Sequence, residues 1–306
     1  MQFLKNTLRL LPIPYQQRPL YTHVMTCSRY EYVKNYELED SILPNVWIVI
    51  RVDGKGFHKF CKVHDFEKPN DVNALNLMNC AGIAVMEEFR DIILGYGQSD
   101  EFSFVFRKES NIFNRRSAKL LSYVTSLFTS SYVWNWKQYF PTKELKYPPC
   151  FDGRVVLYPS DENLRDYLSW RQADAHINNL YNTAFWNLIL QAGMSNKEAE
   201  EELRGTLAAD KNELLYSRFR INYNNLPVMF RKGSTLLRKR LDVACGKKQQ
   251  IILLSDDMIG EKFWQTHSEL LGKSLPEHSL TENGTEPMQS VEKQLDKLQI
   301  QNTSEK

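Results

Sequence analysis

The chain of 306 residues has few cysteines and no apolar run long enough to cross a membrane. Its five cysteines, an odd number, are scattered and include no Cys-x-x-Cys pair. This pattern argues against a disulfide framework or a structural zinc site and is typical of a reducing compartment. The missing apolar run argues against insertion into a membrane.

A strong net charge is also missing, since 39 basic and 37 acidic residues leave +2 at pH 7. Contact with a polyanion must therefore come from local basic patches. Acidic residues are lacking before Glu31, whereas four basic residues precede it. This basic, amphipathic start indicates that residues 1–27 could form a mitochondrial targeting segment. The alternative is a disordered or alternative-start extension, which the prolines of this segment favour.

One β-branched, apolar stretch ends abruptly at an acidic turn. Residues 46–52 read V-W-I-V-I-R-V, with little alternation, as expected for a strand buried on both faces. Asp53 and Gly54 end this strand, and Gly56 allows a tight turn before Phe57 returns to the core. A carboxylate beside an exposed carbonyl suits Mg²⁺, which prefers oxygen ligands. The alternative is an ordinary turn aspartate that bonds its own backbone.

A second acidic turn lies between two more predicted strands. In residues 92–106, I-I-L-G-Y-G-Q-S-D-E-F-S-F-V-F, Asp100 and Glu101 occupy the turn and polar and aromatic residues alternate after it. With the helices and the strand that follow, this order predicts an α+β fold, a ferredoxin-like βαββαβ palm of the polymerase or cyclase type. In such palms two carboxylates, here Asp53 and Asp100, hold two metal ions for phosphoryl transfer.

Composition and periodicity divide the chain into five segments. The extension (1–27) is followed by a catalytic palm domain (28–159) and an added helical subdomain (160–245). Residues 246–271 are expected to pack on the body. Residues 272–306 lack aromatics and have the polar composition of a disordered tail.

Several ordered motifs resemble those of the tRNA-His guanylyltransferase family. They span about residues 28–240 and read R-V-D-G-K-G-F-H, K-P-N-D, Y-G-Q-S-D-E-F-S-F-V-F, F-D-G-R-V-V, Y-L-S-W-R-Q-A-D-A-H-I-N-N-L-Y-N, G-T-L-A-A-D-K-N-E and I-N-Y-N-N. The resemblance implies a nucleotidyltransferase that adds a guanosine to the 5′ end of tRNA-His through an adenylylated 5′-phosphate, in the 3′–5′ direction. It also implies ATP and GTP as substrates, two Mg²⁺ ions and a homotetramer that shares the tRNA. We expect a cytoplasmic location, a mitochondrial one, or both.

The same resemblance implies roles for individual residues. The metals would be held by Asp53, Asp100 and the carbonyl of Gly54. The incoming nucleoside triphosphate would lie against one set of residues: Asp53, Gly54, Lys55, Gly56, Phe57, His58, Ser99 and Asp100. Lys68 would join the two aspartates as a catalytic residue that neutralises a phosphate or leaving group. The tRNA end or the activating nucleotide would contact His176, Lys211 and Asn222.

Further basic side chains are candidates from their positions. Arg51 interrupts the apolar strand near Asp53, which favours a phosphate contact over a surface position. Arg115, Arg116 and Lys119 lie within about one turn of a predicted helix and would concentrate charge on a triphosphate or on the tRNA end. The alternative for these three residues is a solvated helix face.

Three other motif residues are interpreted as structural. Asp152 precedes its strand, so we expect its carboxylate at the opposite sheet edge from Asp53, in a turn. Trp170 and Tyr181 are expected in the core. The asparagines of H-I-N-N-L-Y-N cannot all be satisfied in an apolar core, so some of them must face a polar pocket.

Three other functions compete with this interpretation. A nucleotide cyclase would share the palm and the paired aspartates but would not need a basic, asparagine-rich helical region. A non-catalytic RNA-binding module would need exposed aromatics on its sheet face, whereas acids lie at the strand ends here. A 3′–5′ polymerase that repairs truncated tRNA 5′ ends in general would share the chemistry of the favoured function.

Overall fold

A computed structural model of the chain describes residues 28–243 and 246–272. The predicted targeting extension and all but the first residue of the predicted polar tail lie outside these residues. In the described part of the chain, no helix is both long and apolar enough to span a bilayer. The chain divides into two compact units, residues 1–39 and 40–306. In the first unit, the described residues form a short 3₁₀ helix, Glu31–Tyr36.

The second unit alternates strands and helices before a mainly helical region. The first part comprises β1 (Trp47–Gly54), α1 (Phe57–Val63), α2 (Val72–Glu88), β2 (Ile92–Gln98), β3 (Glu101–Phe106), α3 (Ser117–Trp134), α4 (Trp136–Tyr139) and β4 (Phe151–Tyr158). The second part comprises α5 (Asp161–Leu190), α6 (Asn196–Leu203), α7 (Ala208–Phe219), α8 (Val228–Lys232), β5 (Ser234–Val243), β6 (Gly246–Leu254) and α9 (Glu261–Thr266). Three more 3₁₀ helices cover Ile112–Arg115, Tyr223–Asn225 and Ser268–Leu271.

The strands form one antiparallel sheet in the order β4-β1-β3-β2-β5-β6. The α+β class is therefore confirmed. The elements from β1 to β4 follow the predicted order βαββαβ, except that two consecutive helices stand where one was predicted. These pairs are α1 with α2 and α3 with α4.

Both faces of the sheet are covered, as the apolar sequence of β1 predicts. Side chains alternate between the two faces of a strand. Ile48, Ile50 and Val52 of β1 pack with residues of α2 and α3 in one core. Trp47 and Val49 point the other way and pack with residues of α5 and α9 in a second core. A third core lies within the helical region, between α5, α6 and α7.

The end of the predicted helical subdomain needs correction. The run of helices that begins with α5 ends at Lys232, and residues 234–243 form β5, which pairs with β2. The physical reason is that β2 would otherwise present its unpaired N–H and C=O groups at an open sheet edge. The segment 246–271 then contributes β6, which pairs with β5, and α9, whose Phe263 and Trp264 are buried.

Candidate functional site

Acidic residues from three neighbouring strands meet at one edge of the sheet. Asp53, near the end of β1, lies directly opposite Glu101 at the start of β3 and Asp152 at the start of β4. Antiparallel pairing produces this row, because the end of one strand lies beside the start of its neighbours. The expectation that Asp152 lies at the opposite edge is therefore wrong. Its side chain is largely exposed beside Asp53.

The second acidic turn closes onto the first through the backbone. Ser99 and Asp100 form a two-residue connection between β2 and β3, in which Ser99 adopts a φ of 51°. The N–H of Gly54 donates to the carbonyl of Asp100 at 3.0 Å. The structure thus brings Asp53, Gly54 and Asp100 together.

The electrostatics of this edge disfavour two ionised carboxylates without a cation. Burial raises the pKa of Asp53, and the charge of Asp152 adds to this, while nearby arginines oppose it. Burial also raises the pKa of Asp100, with a further contribution from the charge of Asp53. A divalent cation at this edge would relieve both effects.

The donors at this edge suit a hard cation. Among the described residues there is no cluster of three or more His, Cys, Asp or Glu side chains arranged to hold a metal. Two aspartates with a backbone carbonyl remain as the donor set. Such a set fits Mg²⁺, which typically takes one or two protein carboxylates and keeps water and substrate phosphates as its other ligands.

A cavity of about 440 Å³ opens beside the acidic edge. Asp53 and Asp100 lie in its wall with Ser99, next to amide and apolar side chains. Those side chains are Asn70, Asn79, Asn178, Asn179, Asn182, Leu75, Met78, Met229 and Phe230. The prediction that part of the asparagine cluster faces a polar pocket is confirmed.

The asparagine side chains that line the cavity form an amide wall, which a chain of hydrogen bonds holds together. The wall consists of Asn70, Asn79, Asn178, Asn179 and Asn182. Asn70 Nδ2 donates to Asn179 Oδ1 at 2.9 Å, and Asn179 Nδ2 donates to the hydroxyl of Tyr223 at 3.0 Å. His176 Nδ1 lies 3.4 Å from the same hydroxyl. Partial burial lowers the pKa of His176, and the charge of Arg231 lowers it further. His176 is therefore a neutral hydrogen-bonding group at neutral pH.

The predicted nucleotide segment forms the start of α1. Gly56 has a φ of 64° and ends the turn, and Phe57 is buried in the core as predicted. A β-carbon at Gly54 would lie 2.3 Å from the ring of Phe57, so only glycine fits between strand and helix. Lys55 and His58 are exposed on either side of Phe57. The first N–H groups of α1 lack carbonyl partners within the helix.

The other residues taken from the family motifs lie outside the cavity wall. The ammonium of Lys68 lies 5.4 Å above the ring of Trp186, next to Pro69, which does line the cavity. Lys211 Nζ donates to the carbonyl of Thr206 at 2.8 Å. Asn222 caps the 3₁₀ helix Tyr223–Asn225 through its side-chain oxygen.

The predicted phosphate contact is wrong for Arg115. Its five N–H groups donate to five backbone carbonyls, so none remains for a phosphate. The acceptors belong to Ile42, Leu43, Val46, Lys108 and Ser110.

Arg116 and Lys119 are exposed, as both of the earlier interpretations allow. Arg116 pairs with Asp40 at 3.1 Å, and the ammonium of Lys119 lies 5.4 Å from the ring of Phe113. Each of these two charges remains accessible from solvent.

Sequence reasoning did not predict the ion pairs that Glu101 makes behind the acidic edge, nor the part of Arg171 in them. Glu101 is 7% exposed and Arg171 of α5 is 6% exposed, and the Arg171 guanidinium donates to Glu101 Oε2 at 3.0 Å. Arg51 Nε lies 3.7 Å from the same oxygen, and the phosphate contact predicted for Arg51 stays a prediction. The available signal was the position of Arg171 on the inward stripe of α5, four residues after Tyr167.

Trp170 also differs from expectation. It was expected in the core, but it is 56% exposed, and the guanidinium of Arg171 stacks on its ring at 3.4 Å from the centroid. Tyr167 and Leu168 occupy the inward face of α5, and Trp170 lies outside that face. Tyr181 is half-buried.

Comparisons with known proteins agree along most of the chain. A family model described as tRNAHis guanylyltransferase (Thg1) matches residues 30–159, and one described as the Thg1 C terminal domain matches residues 162–303. A "Probable tRNA(His) guanylyltransferase" of Drosophila melanogaster is 66% identical over 252 residues, which cover 82% of this chain and 88% of that protein. The tRNA(His) guanylyltransferase of Schizosaccharomyces pombe is 53% identical over 251 residues, which cover 78% of this chain and 96% of that protein.

Solved structures show the same fold. The crystal structure of the Saccharomyces cerevisiae tRNA(His) guanylyltransferase covers 73% of this chain and 96% of its own, with 46% identity and a TM-score of 0.66. A bacterial Thg1-like protein in complex with ATP covers 78% of this chain and 96% of its own, with 23% identity and a TM-score of 0.61.

Proposed function

The chain belongs to the tRNA(His) guanylyltransferase family and is a nucleotidyltransferase, and we propose that it adds a guanosine to the 5′ end of tRNA-His in a Mg²⁺-dependent reaction. The observation on which this proposal rests is the meeting of Asp53 and Asp100 at one sheet edge, beside a cavity. The strand order β4-β1-β3-β2, with α2 and α3 on one face, supports a ferredoxin-like palm.

Asp53, Asp100 and the carbonyl of Gly54 would hold two Mg²⁺ ions. When bound, Mg²⁺ supplies charge neutralisation and polarisation of the phosphoryl oxygens during in-line displacement. Both aspartates are partly buried, which raises their pKa, and a bound cation would favour their ionised forms. The Gly54 N–H bond to the Asp100 carbonyl keeps the two turns in register.

The proposed reaction has three steps at one site. ATP adenylylates the 5′-monophosphate of the tRNA and releases pyrophosphate. The 3′-hydroxyl of GTP then attacks the activated phosphate and displaces AMP, which extends the tRNA in the 3′–5′ direction. Pyrophosphate is finally removed from the added nucleotide. Each step is an attack at phosphorus with an anionic leaving group, so one acidic edge can serve all three.

ATP and GTP are proposed to occupy the cavity and the start of α1. A bacterial Thg1-like protein of this fold was solved in complex with ATP, and another structure holds GTP. Here the amide wall offers donors and acceptors that suit a nucleobase or ribose, while Met78, Met229 and Phe230 offer apolar contact. The exposed Arg116 and Lys119, with Lys55 and Lys68, are proposed to meet phosphates of the nucleotide or of the tRNA end.

The test uses a 5′-³²P-monophosphorylated tRNA-His transcript that lacks the extra guanosine, with ATP, GTP and Mg²⁺. We expect a product one nucleotide longer, with a phosphatase-resistant label, from tRNA-His and not from tRNA-Phe. Extension of both transcripts would replace the proposal with general repair of truncated 5′ ends. Conversion of GTP alone to a cyclic nucleotide would support the cyclase instead.

Variants of the two aspartates test the assignment of the acidic edge. We expect Asp53→Ala and Asp100→Ala each to lower guanosine addition by at least about 100-fold, since each removes a proposed metal ligand. Asp166→Ala is the matched control, because Asp166 is an exposed aspartate on α5 outside the cavity wall. Substantial addition by either active-site variant, with an unchanged circular dichroism spectrum, would contradict the metal assignment.

A further inference from the structure

The buried pair of Arg171 and Glu101 links the helical region to the acidic edge. Glu101 faces the same side of the sheet as Asp53, because the two residues are directly paired across β3 and β1. Arg171 reaches the pair from α5, and both Arg171 and Glu101 line the cavity. The pair is therefore part of the wall that a bound nucleotide would face.

Arg171 is held rigidly in place. The hydroxyl of Tyr167, one turn earlier on α5, lies 2.7 Å from Ser103 Oγ on β3. Gln172 donates to the carbonyls of Lys232 and Asp256 and accepts from the N–H of Met258 at 2.7 Å. With α5 fixed on both sides of Arg171, the position of its guanidinium relative to β3 is fixed as well.

The guanidinium is clamped by three groups. One nitrogen, Nη1, lies 3.0 Å from Glu101 Oε2 and 3.5 Å from Asp174 Oδ2. The guanidinium carbon lies over the Trp170 ring, 3.4 Å from its centroid. Such a clamp defines the orientation of the guanidinium and, through it, that of the Glu101 carboxylate.

The clamp leaves one oxygen of Glu101 uncommitted. Oε1 is buried and has no hydrogen-bond partner among the described residues, whereas Oε2 meets both arginines. A buried carboxylate oxygen without a partner is costly, so it is a ready acceptor for a water or a cation. Among the described residues that line the cavity, Arg171 is also the one cation facing four acids, namely Asp53, Asp100, Glu101 and Asp174.

We propose that Arg171 is a positioning residue: it holds Glu101 through Oε2, so that Oε1 supports the divalent cation, or a water of that cation, at the edge of Asp53 and Asp100. This inference rests on the proposed function only in assuming that a divalent cation binds at this edge. Groups behind metal ligands orient them in this way in many proteins, and their loss typically weakens the affinity for the metal by about 10- to 100-fold.

The experiment measures Mn²⁺ binding to the full chain by electron paramagnetic resonance, without nucleotide or tRNA. We expect Arg171→Gln to weaken Mn²⁺ binding by about 10-fold or more. Arg171→Lys keeps a charge and is expected to recover part of that loss. Arg165→Gln is the matched control, because Arg165 lies on the same helix, pairs with Glu261 and lies over Trp264, 5.3 Å from its centroid. It is expected to bind Mn²⁺ like the unaltered chain.

A double-variant cycle separates positioning from a general structural role. In the Glu101→Gln background, Arg171→Gln leaves no carboxylate of this pair unpaired, so the double variant is expected to fold. If Arg171 acts through Glu101, the substitution Arg171→Gln causes no further loss of Mn²⁺ affinity in the Glu101→Gln background. Additive losses would overturn the proposal, as would equal Mn²⁺ affinity of Arg171→Gln and the unaltered chain. Failure of the unaltered chain to bind Mn²⁺ would instead contradict the metal assignment of the proposed function, and with it the premise of this inference.

Discussion

At the scale of single residues, the adjacent arginines Arg115 and Arg116 differ in their burial and in their hydrogen-bond partners. Phe113, Asn114 and Arg115 all adopt positive φ values, between 51° and 58°. This unusual backbone turns Arg115 inward, where it ties the segments 42–46 and 108–110 together. Arg116 is the N-cap residue of α3 and is exposed to solvent, where it pairs with Asp40.

Replacing Arg115 should therefore destabilise the fold. We expect Arg115→Ala to lower the free energy of unfolding by at least about 3 kcal/mol, because several buried carbonyls lose their donor at once. Arg116→Ala should change it by no more than about 1 kcal/mol, because an exposed ion pair contributes little. Urea unfolding of both variants measures the difference, and equal effects would contradict the structural role of Arg115.

The sequence could not distinguish these two arginines. Both lie in a basic cluster at a predicted helix start, where solvated and phosphate-binding side chains have the same pattern. The difference arises from consecutive left-handed residues, and neither phenylalanine nor arginine signals that conformation. Asp53 and Asp100 were predictable for the opposite reason, since each follows a local pattern of apolar strand and turn.

His267 gives the fold a dependence on pH. It is buried against the ring of Phe263, and burial lowers its pKa, with Lys239 adding to this and Glu269 opposing it. The unfolded chain takes up the proton near the ordinary pKa of 6.5, while the folded chain stays neutral to lower pH. Stability is therefore retained above pH 6.5 and is lost as the pH falls below it.

The expected loss between pH 7.5 and pH 5.5 is at most about 1.4 kcal/mol of unfolding free energy from this one residue. His267→Gln cannot take up a proton, so its unfolding free energy should fall less over the same range. Guanidinium unfolding of the unaltered chain and the variant at both pH values gives the comparison. Parallel pH dependence in the two proteins would show that His267 does not contribute.

At the scale of elements, the packing of α2 on the sheet depends on Phe102. A β-carbon at Gly82 of α2 would lie 2.5 Å from Phe102 Cζ, and one at Gly97 of β2 would lie 2.4 Å from Phe102 Cε2. The ring thus occupies the space that two glycines leave between helix and strand. The period-two pattern of β3 places Phe102 on one face with the other aromatic residues of the strand, but Gly82 in the middle of a helix had no explanation in the sequence.

We expect Gly82→Ala to destabilise the fold by about 1–3 kcal/mol, because the added methyl group overpacks the core. This overrides the gain in helix propensity, which alone would favour alanine. Gly260→Ala is the control, since nothing lies within 4 Å of its β-carbon position and its φ is −75°. The further change Phe102→Leu should restore part of the stability lost in Gly82→Ala. Thermal unfolding tests all three, and a stabilised Gly82→Ala would contradict the packing argument.

At the scale of the whole molecule, the site is assembled from segments that are distant in the sequence. The cavity wall comes from residues 69–79, 97–101, 171–182 and 229–234, with Asp53 at the sheet edge. The turns that carry Asp53 and Asp100 could be predicted from the sequence, because the residues that signal a turn are adjacent in the chain. Three other features could not be predicted in this way: the pairing of β5 with β2, the position of Asp152 and the contact of Arg171 with Glu101. Each of them depends on which elements become neighbours in space.

This assembly predicts how a nucleotide changes the dynamics of the chain. We expect GTP with Mg²⁺ to slow amide hydrogen exchange in residues 97–101, 171–182 and 229–234 together, because the ligand would contact all three wall segments. At a nucleotide concentration 100 times Kd, the slowing can reach about 100-fold for amides that exchange only from the ligand-free state. Local exchange in α6 and α7 should stay unchanged, since neither helix lines the cavity. Protection confined to residues 97–101 would mean that the helical region does not contact the nucleotide, and that the amide wall serves the tRNA end alone.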